Sequence, residues 1–340
     1  MAIAERLDRF QHRHPTAGFP LAVLYKYFDD SGAYLAALIA YYGFVSVFPL
    51  LLLLSTVLGI VLAGHPGLQQ QVLNSALHQF PVVGSQLNDP KRIGGGTIGL
   101  VIGILGSVYG GLGVAQAVQY VMNTAWTVPR NSRPNPFQAR VRSLALLITA
   151  GLTIIGTTVL SALGGTGAGS FGWVAQILAL GASVALNAAV FVFVFRFAAA
   201  RDLSVADVAP GALAAAVTWQ LLQSFGVVYV GHVVKNASPT NGVFALVLGM
   251  IAFLYVTGVA LVLCVEINVV RVDRLHPRSL LTPFTDNVIL TAGDRRAYST
   301  QAKTQRMKGF QEVDVHFRAP TSGPDHDSTE DPLDTTTDDP

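Results

Sequence analysis

DDSGAYLAALIAYYGFVSVFPLLLLLSTVLGIVLA, residues Asp29–Ala63, is the stretch whose reading decides the fold. Two acids open it, and from Tyr34 to Ala63 it holds no Asp, Glu, Lys or Arg. An uncharged run of that length is too apolar for a helix in water and long enough to cross a bilayer. As a straight helix it would reach roughly 45 Å, more than a hydrocarbon core of about 30 Å, so it tilts, protrudes or bends. Pro49 near its middle favours a bend, because proline removes one backbone hydrogen bond and crowds the preceding turn. Tyr41, Tyr42 and Ser46 stand just before the bend, and a run of Leu follows it.

The whole chain agrees with a membrane protein. Of 340 residues, 51% are hydrophobic and 12% charged, against about 25% charged in an ordinary soluble domain. A net charge of +2 makes no case for nucleic-acid binding, so no nucleic-acid partner is expected. One cysteine, Cys264, lies in an apolar run, which excludes a disulfide framework. The expected fold is an all-α integral membrane bundle of six transmembrane helices. The spans run over about 34–63, 97–122, 141–163, 173–195, 208–231 and 243–270.

The flanking segments complete the expected layout. Residues 1–33 carry Arg6, Arg9, Arg13 and Lys26 and lack the apolar core of a signal peptide. Leu21, Leu24 and Phe28 there fit a short helix at the membrane interface. Val72, Leu73, Ala76, Leu77 and Phe80 recur at helical spacing in the 64–96 connection, as an interfacial helix or a surface loop helix. Residues 271–340 read as a tail that is mostly disordered; 319–340 hold seven Asp/Glu and no Lys or Arg. Near-membrane Lys/Arg sort thirteen to one side, against only Lys91, Arg92 and Lys235 on the other. The positive-inside rule then places both termini in the cytoplasm of a multi-pass inner (plasma) membrane protein.

Two spans carry packing stripes. Gly95, Gly99, Gly103, Gly106, Gly110 and Gly113 form a ridge with GxxxG spacing along span two, which lets a helix approach closely and would permit a homo-oligomer. Thr149, Thr153, Thr157 and Ser161 stand four apart in span three, a hydroxyl stripe of the helix-contact kind. The glycine-rich turn Gly164–Gly172 lacks the Lys-Ser/Thr ending and preceding strand of a phosphate loop.

Polar residues inside spans face a bundle interior or a cavity. On span two, Tyr109, Gln116, Gln119 and Asn123 share a face. With Tyr41, Tyr42, Ser46 and Pro49 of span one, and Asn187, Gln220, Glu266 and Asn268 of later spans, they form a candidate polar cavity or substrate path. Interhelical hydrogen bonding is the competing reading. Span middles hold almost no ionisable residue; Glu266, near the end of span six, is the exception. Asp29, Asp30, Arg140, Arg142 and Arg196 fall at the same membrane face and make a candidate charge cluster. Glu266 either lines a polar vestibule with them or pairs with one arginine to pin helix ends.

The order Asp29-Asp30, Ala36-Ala37, Tyr41-Tyr42, Ser46, Phe48-Pro49-Leu50 resembles the opening signature of the YihY/BrkB family of bacterial inner-membrane proteins. The likeness continues at Asn123–Trp126, at Ala209-Pro210-Gly211-Ala212 with Trp219, and from Leu254-Tyr255 through Glu266 and Asn268. It covers about residues 20–272. The chain departs from the pattern at Asn241-Gly242, where the family tends to carry Tyr-Gly. The resemblance implies a six-helix bundle with both ends cytoplasmic. Proteins of this kind were formerly labelled ribonuclease BN-like, and the residues argue against that activity. The eight His are scattered, and only His12 and His14 lie close, without acids at metal-ligand spacing. No catalytic set, metal site or cofactor is expected. Three functions follow: transport of a small solute or lipid-like molecule, a non-transporting membrane scaffold or envelope-stress or virulence-associated factor, and last an intramembrane enzyme.

Overall fold

The computed structural model describes residues 15–61, 96–165, 172–235, 239–280, 282 and 288–318. Eight α-helices are present among them: α1 (Pro15–Asp29), α2 (Gly32–Val61), α3 (Gly96–Ala125), α4 (Pro136–Gly165), α5 (Gly172–Ala198), α6 (Val205–Lys235), α7 (Pro239–Val272) and α8 (Ala292–Lys303). No strand occurs among the described residues. Residues 64–95 of the connection, most of the 164–172 turn and the acidic end from 319 lie outside them.

Helices α2 to α7 pack each against the next in chain order, and α7 returns to α2, so the six close a ring. Four contain segments long and apolar enough to cross a membrane: Val101–Ala125, Leu180–Ala198, Val205–Gly226 and Val247–Val272. Their outer faces display large apolar side chains, among them Ile102, Leu105, Leu178, Phe225 and Leu248. A continuous apolar exterior of that size would drive aggregation in water and is the ordinary surface of a protein in lipid.

The tightest seam, α2 against α3, is made by the span-two glycines. A Cβ on Gly106 would stand 2.6 Å from the Pro49 ring, one on Gly110 2.5 Å from Ser46, and one on Gly113 2.1 Å from the Tyr42 ring. Positions 42, 46 and 49 of one helix thus seat in positions 113, 110 and 106 of the other. These three glycines face the chain's own helix, so a second copy could dock there only by displacing α2.

Pro210 explains the α6–α7 seam. It has no N–H to give the Ala206 carbonyl, and proline crowds the turn before it. Arg271 Nη2 of α7 donates to Ala206 O instead, and to Asp207 O at 3.1 Å. Asn268 completes the clasp, accepting from Gly211 N–H at 2.7 Å and donating to Val208 O at 3.1 Å. A side chain at Gly211 would collide with the Cys264 carbonyl, 2.1 Å from its Cβ position.

The segment after α7 corrects the expected mostly disordered tail. Helix α8 starts at a reciprocal cap: Thr291 Oγ1 accepts from Asp294 N–H, and the Asp294 carboxylate accepts from Thr291 N–H. Asp294 is itself fully buried. The composition argument failed because α8 needs little apolar area of its own. Its mean composition is polar, but Gly293, Asp294 and Ala297 are buried against neighbouring chain, and polar groups hold the rest.

Candidate functional site

Helix α1 docks on α7 through one stripe: Ala22, Val23, Lys26 and, just past the helix end, Asp30. The opposite stripe, Leu24 and the 70%-exposed Phe28, points outward as an interfacial helix requires. Ser31 takes a left-handed φ of 56° between α1 and α2. Gly32 follows because a Cβ there would strike the Tyr27 ring at 2.3 Å. That turn swings Asp29 and Asp30 in opposite directions.

Asp30 turns inward. Its carboxylate accepts from Lys26 Nζ one helical turn back, and the same Nζ stands 3.9 Å from Glu266 Oε2 of α7. Lys26, Asp30 and Glu266 are 2%, 8% and 0% exposed. One ammonium between two carboxylates leaves one negative charge unmatched in a dry setting, an arrangement that favours uptake of a proton or cation. Burial pushes the Asp30 carboxyl above its ordinary range, against the downward pull of Lys26. Burial pulls Lys26 down, but Glu266 and Asp30 more than reverse it and hold its ammonium charged.

Asp29 turns outward to Arg278, whose Nη1 donates to Asp29 Oδ2 at 3.0 Å and whose Nε donates to Asp294. Arg278 is fully buried, flanked by the Tyr25 and Tyr298 rings. Gln301 of α8 donates to Asp29 O at 2.7 Å, and Tyr25 of α1 donates to Leu280 O at 2.7 Å. These bonds clamp α8 over the α1–α2 turn.

Beside the clamp a cavity of about 390 Å³ opens, lined by Asp29, Asp30, Tyr120, Arg130, Arg133 and Gln301 among others. Asp30 is therefore both a wall of this vestibule and a member of the buried cluster. A second cavity of about 300 Å³ adjoins it, lined by Gln116, Gln119, Asn123, Arg133 and Arg140 among others. A third, of about 550 Å³, lies beyond Arg133, with Arg142 and Arg196 in its wall. Among the described residues, no three His, Cys, Asp or Glu side chains are grouped to hold a metal ion.

The structure gathers part of the expected path and scatters the rest. Gln116, Gln119 and Asn123 do share one cavity wall. Asn123 Oδ1 also accepts from Ala200 N–H at 2.7 Å, and Gln119 donates to Ser143 Oγ at 2.8 Å, so both tie helices together. Tyr42, Ser46 and Pro49 are in the glycine seam, and Asn268 is in the α6 clasp. Tyr41 and Tyr109 point outward, at 60% and 67% exposure. Asn187 and Gln220 are half-buried on α5 and α6 and line none of these three cavities. The expected charge cluster divides: Asp29 and Asp30 border the vestibule, while Arg140, Arg142 and Arg196 border the other two cavities. Glu266 pairs with Lys26 rather than with an arginine.

Lys26, Arg278 and Asp294 were not singled out from sequence. Two of them had a signal: Lys26 stands four before Asp30 in an otherwise apolar stretch, and Thr291-Ala-Gly-Asp294 is a capping-box pattern. Arg278 had none, because its partners are 16 and 249 positions away.

A ring of long apolar helices with a lipid-type exterior, and buried charges gathered at one end, defines a helical membrane protein. The chain belongs to the family described as virulence factor BrkB, which matches residues 23–286. That range includes Lys26, Asp30, Glu266 and Arg278 and stops short of α8. No curated protein and no solved structure matches the chain.

Proposed function

We propose that this protein is a six-span carrier of the bacterial inner membrane, both termini in the cytoplasm, moving a small solute or a lipid-like molecule. The observation that carries the reading is the vestibule of about 390 Å³ whose wall includes Asp30, the outermost member of the buried Lys26–Asp30–Glu266 cluster. Buried ionisable groups at the end of a polar entrance are the usual equipment of a coupled path, and they are costly to keep for packing alone. The orientation rests on charge: Arg130, Arg133, Arg140, Arg142, Arg196 and Arg201 all stand at the end that carries α8. The reading is of a carrier and not of an enzyme.

Proteoliposome flux over a broad panel of solutes and fluorescent lipids tests it. Wild-type flux that folded Asp30→Asn and Glu266→Gln variants lose supports the carrier. Protein that moves nothing on the panel counts against it. The second reading, a non-transporting scaffold or virulence-associated factor, is favoured by the clamp of Arg278, Asp29 and Asp294, which needs no substrate. That reading expects normal function from the Asp30→Asn and Glu266→Gln variants.

A further inference from the structure

The largest of the three cavities, about 550 Å³, lies between the start of α4 and the end of α5. Its size falls within the range of about 300–1,000 Å³ typical of small-molecule sites. Four guanidinium groups line it, from Arg133, Arg142, Arg196 and Arg201, against one carboxylate, Asp202. Asp273 neutralises Arg201 through two parallel bonds of 3.1 and 2.9 Å, and the Trp126 ring lies 5.0 Å from the same guanidinium. Arg133, Arg142 and Arg196 therefore outnumber the one remaining carboxylate, Asp202.

Their donors are turned to the basin by the backbone. Arg196 spends its Nε on Leu203 O at 2.7 Å, and Arg133 its Nε on Val128 O at 3.1 Å. Both bonds fix the guanidinium plane; Arg133 also spends an Nη on Asn123 O at 3.5 Å and lies 5.6 Å from the Tyr120 ring, whereas Arg196 keeps its Nη donors for a ligand. Arg142 Nη1 is buried and has no hydrogen-bond partner. A buried charged donor left unpaired is destabilising, which is tolerated where a ligand supplies the acceptor. No lysine lines the basin; the rigid fork of arginine matches two oxygens of a phosphate at once. At the rim, Phe193 of α5 is exposed on the apolar exterior, so a molecule held here by its anion can rest its apolar part on lipid-facing surface.

From this geometry we infer that the basin binds an anionic phosphate group, either the headgroup of an acidic phospholipid or a soluble phosphate ester. Arg142 and Arg196 grip its oxygens, and Arg133 closes the inner side. This site stands apart from the Lys26–Asp30–Glu266 cluster and does not depend on the transport reading.

Native mass spectrometry of the full chain in a neutral detergent tests the lipid source, comparing phosphatidylglycerol with phosphatidylcholine. Equilibrium dialysis against inorganic phosphate and glycerol 3-phosphate tests the soluble source. The variants are Arg142→Ala/Arg196→Ala and, should that pair fail to give a monodisperse folded protein, Arg142→Lys/Arg196→Lys. Wild type is expected to prefer phosphatidylglycerol, and the alanine pair to weaken that binding about tenfold or more. The lysine pair, which keeps charge without the fork, should lie between. Arginine-dependent binding of the soluble phosphates, with lipid binding unchanged, assigns the site to a soluble ester. Folded variants that bind every probe as wild type does overturn the proposal, as does wild type without preference for any anionic phosphate.

Discussion

Lys26 stands between two carboxylates with almost no contact with water. Replacing it with Met leaves those carboxylates facing each other, and removing one partner of a buried ion pair costs about 3–5 kcal/mol. Lys26→Met should lower the unfolding temperature in detergent sharply. Adding Asp30→Asn should recover part of the loss, because the second substitution removes the charge the first one stranded. Additive losses in this double-mutant cycle would sink the cluster. A pH prediction follows from Asp30. Burial raises its carboxyl above the ordinary 3.8, so the folded state holds that proton more tightly than the unfolded chain. The stabilisation is fully present below 3.8 and is lost as pH rises through the raised value. Thermal unfolding across that window should show wild type losing stability with rising pH and Asp30→Asn losing less. Identical profiles would refute it. The residue types of this site were legible, since Asp30 and Glu266 both stood out as rare charges beside apolar runs. Their pairing was not, because Glu266 finds its cation 240 positions away on a helix that reads by itself as interfacial.

Helix seams set the next scale. Gly113→Leu would drive a side chain into the Tyr42 ring and Gly110→Val into Ser46, and overpacking of this kind costs about 1–3 kcal/mol or more. Gly151→Ala is the matched control: nothing lies within 4 Å of its Cβ position, and alanine is favoured over glycine in a helix by about 0.5–1 kcal/mol. Unfolding curves should therefore separate two destabilised proteins from one unchanged or improved. Equal effects at all three positions would mean that the ridge does not pack on α2. Helix α8 makes a separate prediction. Thr291→Ala deletes half of its cap and should cost about 1 kcal/mol, read as faster limited proteolysis after Arg295 and Arg296 and no change in the bundle. The glycine ridge was visible in the sequence as a spacing, yet its partner was not, because GxxxG spacing states that a helix approaches and not which one.

At the scale of the whole molecule, charge distribution and ring closure act together. The arginines at the start of α4 and the end of α5 wall the cavities, so the proposed orientation and the proposed anion basin rest on the same charges. Topology can be read chemically. Cys264 is the single cysteine and is buried, so a Cys264→Ser background accepts one new reporter at a time. Thr336→Cys should react with an impermeant maleimide only in inverted vesicles, and Lys91→Cys only in intact spheroplasts. The reverse pattern would invert the bundle, and reaction of both from one side would change the number of crossings.

The amino-acid sequence by itself determined that the chain lives in a membrane, where its six long helices begin and end to within a few residues, and which end is basic. Those are local properties: apolar length, proline and glycine positions, and charges near helix ends are written in consecutive residues. It also showed that span two carries a packing face. Only the tertiary structure decided that α7 closes on α2, that Tyr42 and Ser46 fill a seam, and that Lys26 joins Asp30 and Glu266. It alone turned the stretch after Arg271 into a clamp. The physical reason is that a buried charge and a close-packed glycine are specified by their partners, and those partners are brought together by the ring across sequence separations that no local pattern records.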